Sequence, residues 1–283
     1  MSAADYCRAR TESFLEDHLA RRRQDLPPAT QTLLDSVKHS CLGGGKRFRP
    51  MVCYLAARAL ECSEERVWPY AAAIEMVHSY SLIHDDLPCM DNDDWRRGRP
   101  TNHRVFGEAT ALLAGDALLT EAFHVLGVYY AEVPEVGLSL VRLLSEAAGL
   151  TGMVAGQVWD LSLAASDKPG REDLISLHAL KTGALIRASV LGVAQIARAD
   201  DVKKRAMGEF GRLLGLAFQV ADDLLDFHPE KQETAGLPRA LGVAQTRELL
   251  EELTTDALRA ISIFGSGAEG LRELVEFNRA RKN

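Results

Sequence analysis

EFGRLLGLAFQVADDLLDF, residues 209–227, decides the fold. Phe210, Leu213, Leu214, Ala217, Phe218, Ala221 and Leu225 recur at the three-, four- and seven-residue spacings of an α-helix and leave almost no polar side. A helix apolar around most of its circumference belongs at the centre of a large helical assembly. Two further stretches read the same way. Between Trp68 and Leu87 the apolar positions include Ala71, Ile74, Val77 and Leu82; between Ala109 and Leu126 they include Leu112, Leu113, Ala117 and Phe123. Alternating strand patterns joined by Asn-Gly or Asp-Gly turns are absent. Breaks at Pro27-Pro28, Gly43–Gly45, Pro88, Gly98–Pro100, Pro134, Lys168–Gly170 and Gly236–Pro238 separate the helices. With no low-complexity linker and no internal repeat, the expectation is an all-α chain forming one domain over residues 1–283.

The composition narrows the function. Of 283 residues 47% are apolar, enough for a large core. The formal charge of −7 argues against a nucleic-acid binder, which would carry a basic stripe. An anionic substrate must then be captured locally, by clustered Arg and Lys or by metal ions. The five cysteines, Cys7, Cys41, Cys53, Cys62 and Cys89, are odd in number and lack CxxC spacing, so free thiols in a reducing compartment are expected. The first residues, MSAADYCRARTESFLEDH, have no apolar core of a signal peptide. No run of about 18 uninterrupted apolar residues is present, so no transmembrane segment is expected and the location is expected to be cytoplasmic.

Two acidic clusters sit on helices otherwise built for burial. The first is HDDLPCMDNDD, residues 84–94, with Asp85, Asp86 and Asp91. Pro88 lacks an N–H and its ring collides with the carbonyl of His84, so the helix must bulge or end there. If two residues loop out, Asp85 and Asp91 return to an effective spacing of four. The second is FQVADDLLD, residues 218–226, where Asp222 and Asp226 are four apart, Asp223 adjoins, and Gln219 lies one turn earlier. A single such cluster is as often a set of solvated carboxylates or caps. Two of them on apolar helices would repel strongly unless a hard cation were bound. Carboxylate oxygens are hard donors that select magnesium over zinc, and magnesium shares its coordination with water and substrate phosphates.

Basic groups accompany them. GGGKRFRP, residues 43–50, places three glycines before Lys46, Arg47 and Arg49, and exposed backbone N–H groups there can form an anion-binding concavity. Arg96 and Arg97 follow the first acidic cluster, and Arg forks suit a diphosphate. His78 lies seven residues before Asp85 on the same helix face. A lone His is ordinarily a core residue; here its position favours ligand contact. Lys181 and Thr182, in HALKTGAL, put a cation and a hydroxyl on another apolar helix, which Gly183 weakens locally.

HSYSLIHDDLPCMDNDDWRRGRPTNH resembles the first aspartate-rich region of the short-chain trans-polyprenyl diphosphate synthases, which include farnesyl and geranylgeranyl diphosphate synthases. The similarity runs through GGGKRFRP, VFGEATALLAGDALLTEAF, GMVAGQVWDL, LHALKTGALIRASV and LGLAFQVADDLLD, in order over residues 35–226, and is nearest to the bacterial farnesyl type. The resemblance implies an isoprenoid-synthase helical bundle around a deep central cavity, usually a homodimer. It implies magnesium on Asp85, Asp86 and Asp91 and again on Asp222, Asp223 and Asp226. Arg96 and Lys181 would grip an allylic diphosphate. Lys46, Arg49, His78 and Arg97 would grip isopentenyl diphosphate. Thr182, Gln219 and the Lys181 carbonyl would surround an allylic carbocation. The tail Arg279–Lys282 resembles the segment that closes over the homoallylic site. The implied reaction is head-to-tail condensation of isopentenyl diphosphate with dimethylallyl or geranyl diphosphate.

One stretch departs from the family. FHPEKQETAGLP, residues 227–238, is shorter than the usual loop and has a single lysine, Lys231, at a non-matching distance from Asp226. The competing readings are a class I terpene cyclase and a non-catalytic partner subunit. A cyclase would carry a different second metal motif, and a lapsed subunit would have lost aspartates. For product length, Tyr80 and Ser81 lie five and four residues before Asp85, about 6–7.5 Å along a helix. A ring there can floor a growing chain, so a C15 product is expected, with C20 as the alternative.

Overall fold

The computed structural model describes residues 2–164, 169–228, 230 and 236–281. Backbone contacts divide the chain into two compact units. One comprises Met1–Tyr54 with Glu64–Leu138, the other Leu55–Ser63 with Ser139–Asn283.

The first unit contains α1 (Ala3–Arg23), α2 (Gln31–Cys41), the start of α3 (Phe48–Ala59), α4 (Trp68–Asp85), α5 (Asn102–Phe106), α6 (Glu108–Tyr129) and the start of α7 (Pro134–Ala148). α4 is its axis. Thirteen of its eighteen residues are buried, which is why that stretch shows apolar residues on every side. It packs on α6, with α1 and α2 completing the core around Leu15, Ile74, Met76, Ile83, Leu118 and Leu126. Pro69 sits in the first turn of α4, where a missing N–H is harmless.

The second unit contains α8 (Met153–Ala164), α9 (Arg171–His178), α10 (Ala184–Ile196), α11 (Asp201–Asp226), α12 (Leu237–Leu241), α13 (Val243–Ala260) and α14 (Glu269–Ala280). α11 is central here, flanked by α10, α13 and α14. From Phe210 to Ala217 every residue but Arg212 is buried. Gly211 lets α10 come close, and Gly215 the turn just before it. A Cβ on Gly211 would lie 2.8 Å from the Arg187 Cα, and one on Gly215 would lie 2.7 Å from the Gly183 Cα.

The all-α expectation holds, with one addition. A two-residue hairpin, β1 (Trp95–Arg96) and β2 (Arg99–Pro100), pairs Arg96 with Arg99. Its turn, Arg97-Gly98, has φ of 54° and 74°, the double positive φ of a type I′ connection. Two-residue strands are too short to show any period.

The expectation about membrane spans needs revision. Three helical stretches, Glu108–Tyr129, Pro134–Leu163 and Arg171–Ile196, are long and apolar enough to cross a bilayer by length and composition. Counting only uninterrupted apolar residues missed them, because Asp116, Glu121 and their like are spread thinly. α6 turns Ala111, Ala114, Leu118, Ala122, Val125 and Leu126 into the core, and its Glu121 carboxylate accepts from His18 at 2.7 Å and pairs with Arg22 at 2.9 Å. The five cysteines are free thiols.

Candidate active site

In the first unit, α4 delivers His78, Tyr80, Ser81 and Asp85, with Asp86 as its C-cap, and Pro88 forbids continuation. The helix ends rather than bulges. The chain then doubles back, and the Asp91 N–H donates to the Asp85 carbonyl at 2.8 Å, six residues earlier instead of four. Two residues are thereby looped out and the backbones of Asp85 and Asp91 meet. Asp85 is half-buried and Asp91 exposed.

Asp86 is buried and accepts from Arg96 Nε at 2.5 Å. Burial pushes its carboxyl up while the Arg96 bond pulls it back. Arg96 is held on β1 and also bonds Asp93 at 3.2 Å. Arg97 occupies a left-handed conformation uncommon for an arginine. Its guanidinium donates to the Gly44 carbonyl at 2.7 Å. Gly45, at φ 115°, must lack a side chain, because a Cβ there would stand 2.6 Å from Arg97 Cζ. The glycine run thus makes room for Arg97.

Around His78 the cations converge. Burial, then the charges of Arg49, Arg97, Arg47 and Arg96, hold its imidazole well below the ordinary histidine range. Lys46, on the same loop, is exposed. Arg47 was not among the expected ligand residues, and its role differs from that of its neighbours. It is buried and donates to Glu75 Oε1 at 2.7 Å and to the Cys41 carbonyl at 2.8 Å, with Glu12 at 3.4 Å. The bonds pin the loop to α4. Glu75 is one of two acids on that helix, the other being Asp85 at its end, and it is the buried one.

Tyr80 is buried with its ring edge-on to His84 at 5.7 Å. Burial and then the Asp85 charge push its phenol up to about 12. The Ser81 hydroxyl donates to the His78 carbonyl at 3.0 Å.

In the second unit, the stretch that reads as one helix through LHALKTGAL contains a π-turn at Ala179–Gly183. Such turns widen the helix locally and collect at functional positions. Gly156 of α8 lies against it. A Cβ there would be 2.4 Å from the Lys181 nitrogen. Lys181 Nζ donates to Asp160 of α8 at 2.5 Å, and the Thr182 hydroxyl donates to Gln219 Oε1 at 2.9 Å. The Asp223 carboxylate is engaged by His178 Nε2 at 3.0 Å and by the Leu237 N–H at 2.9 Å. Asp222 is paired with Arg281 at 2.6 Å, and that guanidinium lies 4.9 Å over the Phe218 ring. Arg279 turns instead to Glu251 and Glu276. Asp226 is exposed. Lys231 and Lys282 lie outside the described residues.

Among the described residues no three carboxylate, imidazole or thiol groups converge on one point. A cation that needs a full protein cage has no cradle here. Magnesium needs only one or two carboxylates and fills its octahedron with water and phosphate oxygens. Asp85 with Asp91, and Asp222 with Asp226 one helical turn on, fit that demand. Asp86, Asp222 and Asp223 each hold a protein partner as well, Arg96, Arg281 and His178 respectively.

Comparison with known proteins follows the same lines. The polyprenyl synthetase family model matches residues 30–238. A chloroplastic geranylgeranyl pyrophosphate synthase of Catharanthus roseus is 42% identical over 243 residues, 81% of this chain and 68% of that protein. A dimethylallyltranstransferase of Fischerella ambigua is 37% identical over 93% of this chain and 82% of its own. The crystal structure of an FPP/GFPP synthase from Zymomonas mobilis in its apo form superposes with a TM-score of 0.90 at 34% identity, covering 99% of this chain and 100% of that one.

Proposed function

The chain belongs to the polyprenyl synthetase family and is a prenyltransferase, and on that premise we propose that it condenses isopentenyl diphosphate with dimethylallyl and geranyl diphosphates to give mainly farnesyl diphosphate. The observation that carries the reading is the retention of both carboxylate pairs together with the guanidinium cluster around His78. Arg49 and Arg97, with Lys46 on the adjoining loop, hold the diphosphate of isopentenyl diphosphate, and neutral His78 adds an uncharged hydrogen-bonding group among them. Arg96 and Lys181 hold the allylic diphosphate. Asp85 and Asp91, and Asp222 and Asp226, would hold magnesium, which when bound would supply charge neutralisation at the diphosphate oxygens; Arg96 and Lys181 stabilise the diphosphate as it departs from the allylic carbon. Thr182, Gln219 and the Lys181 carbonyl turn oxygen dipoles toward the resulting carbocation. The double bond of isopentenyl diphosphate, held close, attacks it, and the departing proton goes to the released diphosphate.

Tyr80, buried beside Asp85, supports the C15 product. The second reading, a C20 product, is favoured by the printed activity of the Catharanthus roseus relative. A cytoplasmic location accords with the free thiols. A homodimer accords with the exposed Leu112 and Leu113 of α6 and with Val154, Val158 and Leu161 of α8.

Incubation with radiolabelled isopentenyl diphosphate, each allylic primer and magnesium, followed by chromatography of the dephosphorylated products, tests the reading. C15 is expected as the main product; a cyclised product or no product would reject it. Asp85→Ala and Asp222→Ala are each expected to lower turnover by orders of magnitude with the helical circular dichroism intact. Near-normal turnover in either variant would remove the metal role assigned to it.

A further inference from the structure

The second unit carries a cavity of about 680 Å³ that the proposed reaction does not use. It is lined by the π-turn, by α10 and by the first half of α11. Its size falls within the range of small-molecule sites, roughly 300–1,000 Å³.

The lining is divided in character. Arg187 of α10 and Lys204, Arg205 and Arg212 of α11 supply four cations against one acid, Glu209. Arg212 is already spent on Glu209, gripping both its oxygens at 3.0 and 2.6 Å. Among the described residues Lys204 and Arg205 form no ion pair. In a chain of formal charge −7, that concentration of positive charge requires a local reason. Apart from the Thr151 hydroxyl and two glycines, the rest of the lining is aliphatic, with Ala179, Leu180, Ala184 and Leu191. Gly208 keeps this floor open, since a Cβ there would come within 3.2 Å of the Leu191 side chain.

We infer that this cavity binds an amphiphilic organic phosphate: a mono- or diphosphate head on the cationic rim and a short hydrocarbon tail on Leu180, Ala184 and Leu191. A nucleotide fits less well, because the lining offers no aromatic ring to stack a base and no side-chain amide to read one. The lining also takes Ala179, Leu180 and Gly183 from the π-turn but neither Lys181 nor Thr182. An occupant therefore presses on the turn that carries those two residues without entering their site. Prenyl diphosphates, the products of the proposed reaction, have the required chemistry; that identification of the natural ligand, unlike the binding itself, rests on the proposed reaction.

The test is calorimetric titration of the whole protein in EDTA, which leaves the aspartate clusters without metal. The probes are geranyl diphosphate, inorganic pyrophosphate and ADP. Geranyl diphosphate is expected to bind, and Lys204→Glu with Arg205→Glu is expected to weaken it at least tenfold at an unchanged melting temperature. Should the double variant melt lower, Lys204→Gln alone is expected to weaken binding several-fold. Equal binding by wild type and variants overturns the inference, as does pyrophosphate or ADP binding as tightly as geranyl diphosphate. Because the readout is binding, absence of turnover would reject the proposed reaction and leave this result standing.

Discussion

His78 is a neutral ring held among cations. In an unfolded chain its imidazole titrates near 6.5, roughly the reference value. In the folded chain, burial and then the charges of Arg49, Arg97, Arg47 and Arg96 hold it well below that. Between the two values the unfolded chain binds a proton that the folded chain refuses, so stability falls as pH drops below about 6.5. The slope approaches ~1.4 kcal/mol per pH unit until the folded-state value is reached. Denaturant titrations from pH 8 to pH 5 are expected to show a steeper acid loss for wild type than for His78→Asn; parallel curves would show that His78 ionises freely in the fold. Tyr80 poses a different question, since its burial against Asp85 serves packing as well as a floor. Tyr80→Ala is expected to shift the product distribution from C15 toward C20 and longer with little change in the first condensation. A variant that still stops at C15 would leave Tyr80 as core packing alone.

At the scale of elements, the π-turn depends on a glycine outside itself. Gly156 belongs to α8, and a Cβ there would come within 2.4 Å of the Lys181 nitrogen and 2.6 Å of its Cα. Backbone atoms cannot yield as a flexible side chain would. Gly156→Ala is therefore expected to displace the turn, destabilise the fold by roughly 1–3 kcal/mol as overpacking does, and lower turnover more than it raises either Michaelis constant. Unchanged melting and turnover would show that α8 can move away freely. The same elements show what a sequence discloses. α4 was legible because burial on nearly every side requires apolar residues at most angles, and α11 because its buried residues recur at helical spacing. The doubling-back of Asp91 onto Asp85 was legible because Pro88 forbids the alternative. The π-turn was not, since ALKTG keeps an apolar pattern compatible with either helix, and only Gly183 hinted at a local weakness. Nor was the hairpin, whose strands are two residues each. Arg47 could not be told from Lys46 and Arg49 by type, because the difference is its partner Glu75, 28 residues away.

For the whole molecule, the formal charge of −7 conceals its distribution. Guanidinium groups gather around His78 in one unit and around the α10–α11 cavity in the other, so an average charge says little about what either place attracts. The placement of α11 has a further consequence, for solvent. α10, α13, α14 and the π-turn all pack on it, and its residues from Phe210 to Ala217 are buried apart from Arg212. Amides so enclosed exchange hydrogen only when the unit opens entirely, whereas frayed helices exchange through local openings. Deuterium labelling is expected to leave the 210–221 amides protected longest, with an opening free energy equal to that of global unfolding. Exchange there as fast as in α1 would mean that the helix bearing Asp222 opens by itself. If it does not, the aspartates at its end are anchored to the slowest-breathing part of the second unit, and they keep their spacing through every fluctuation short of unfolding.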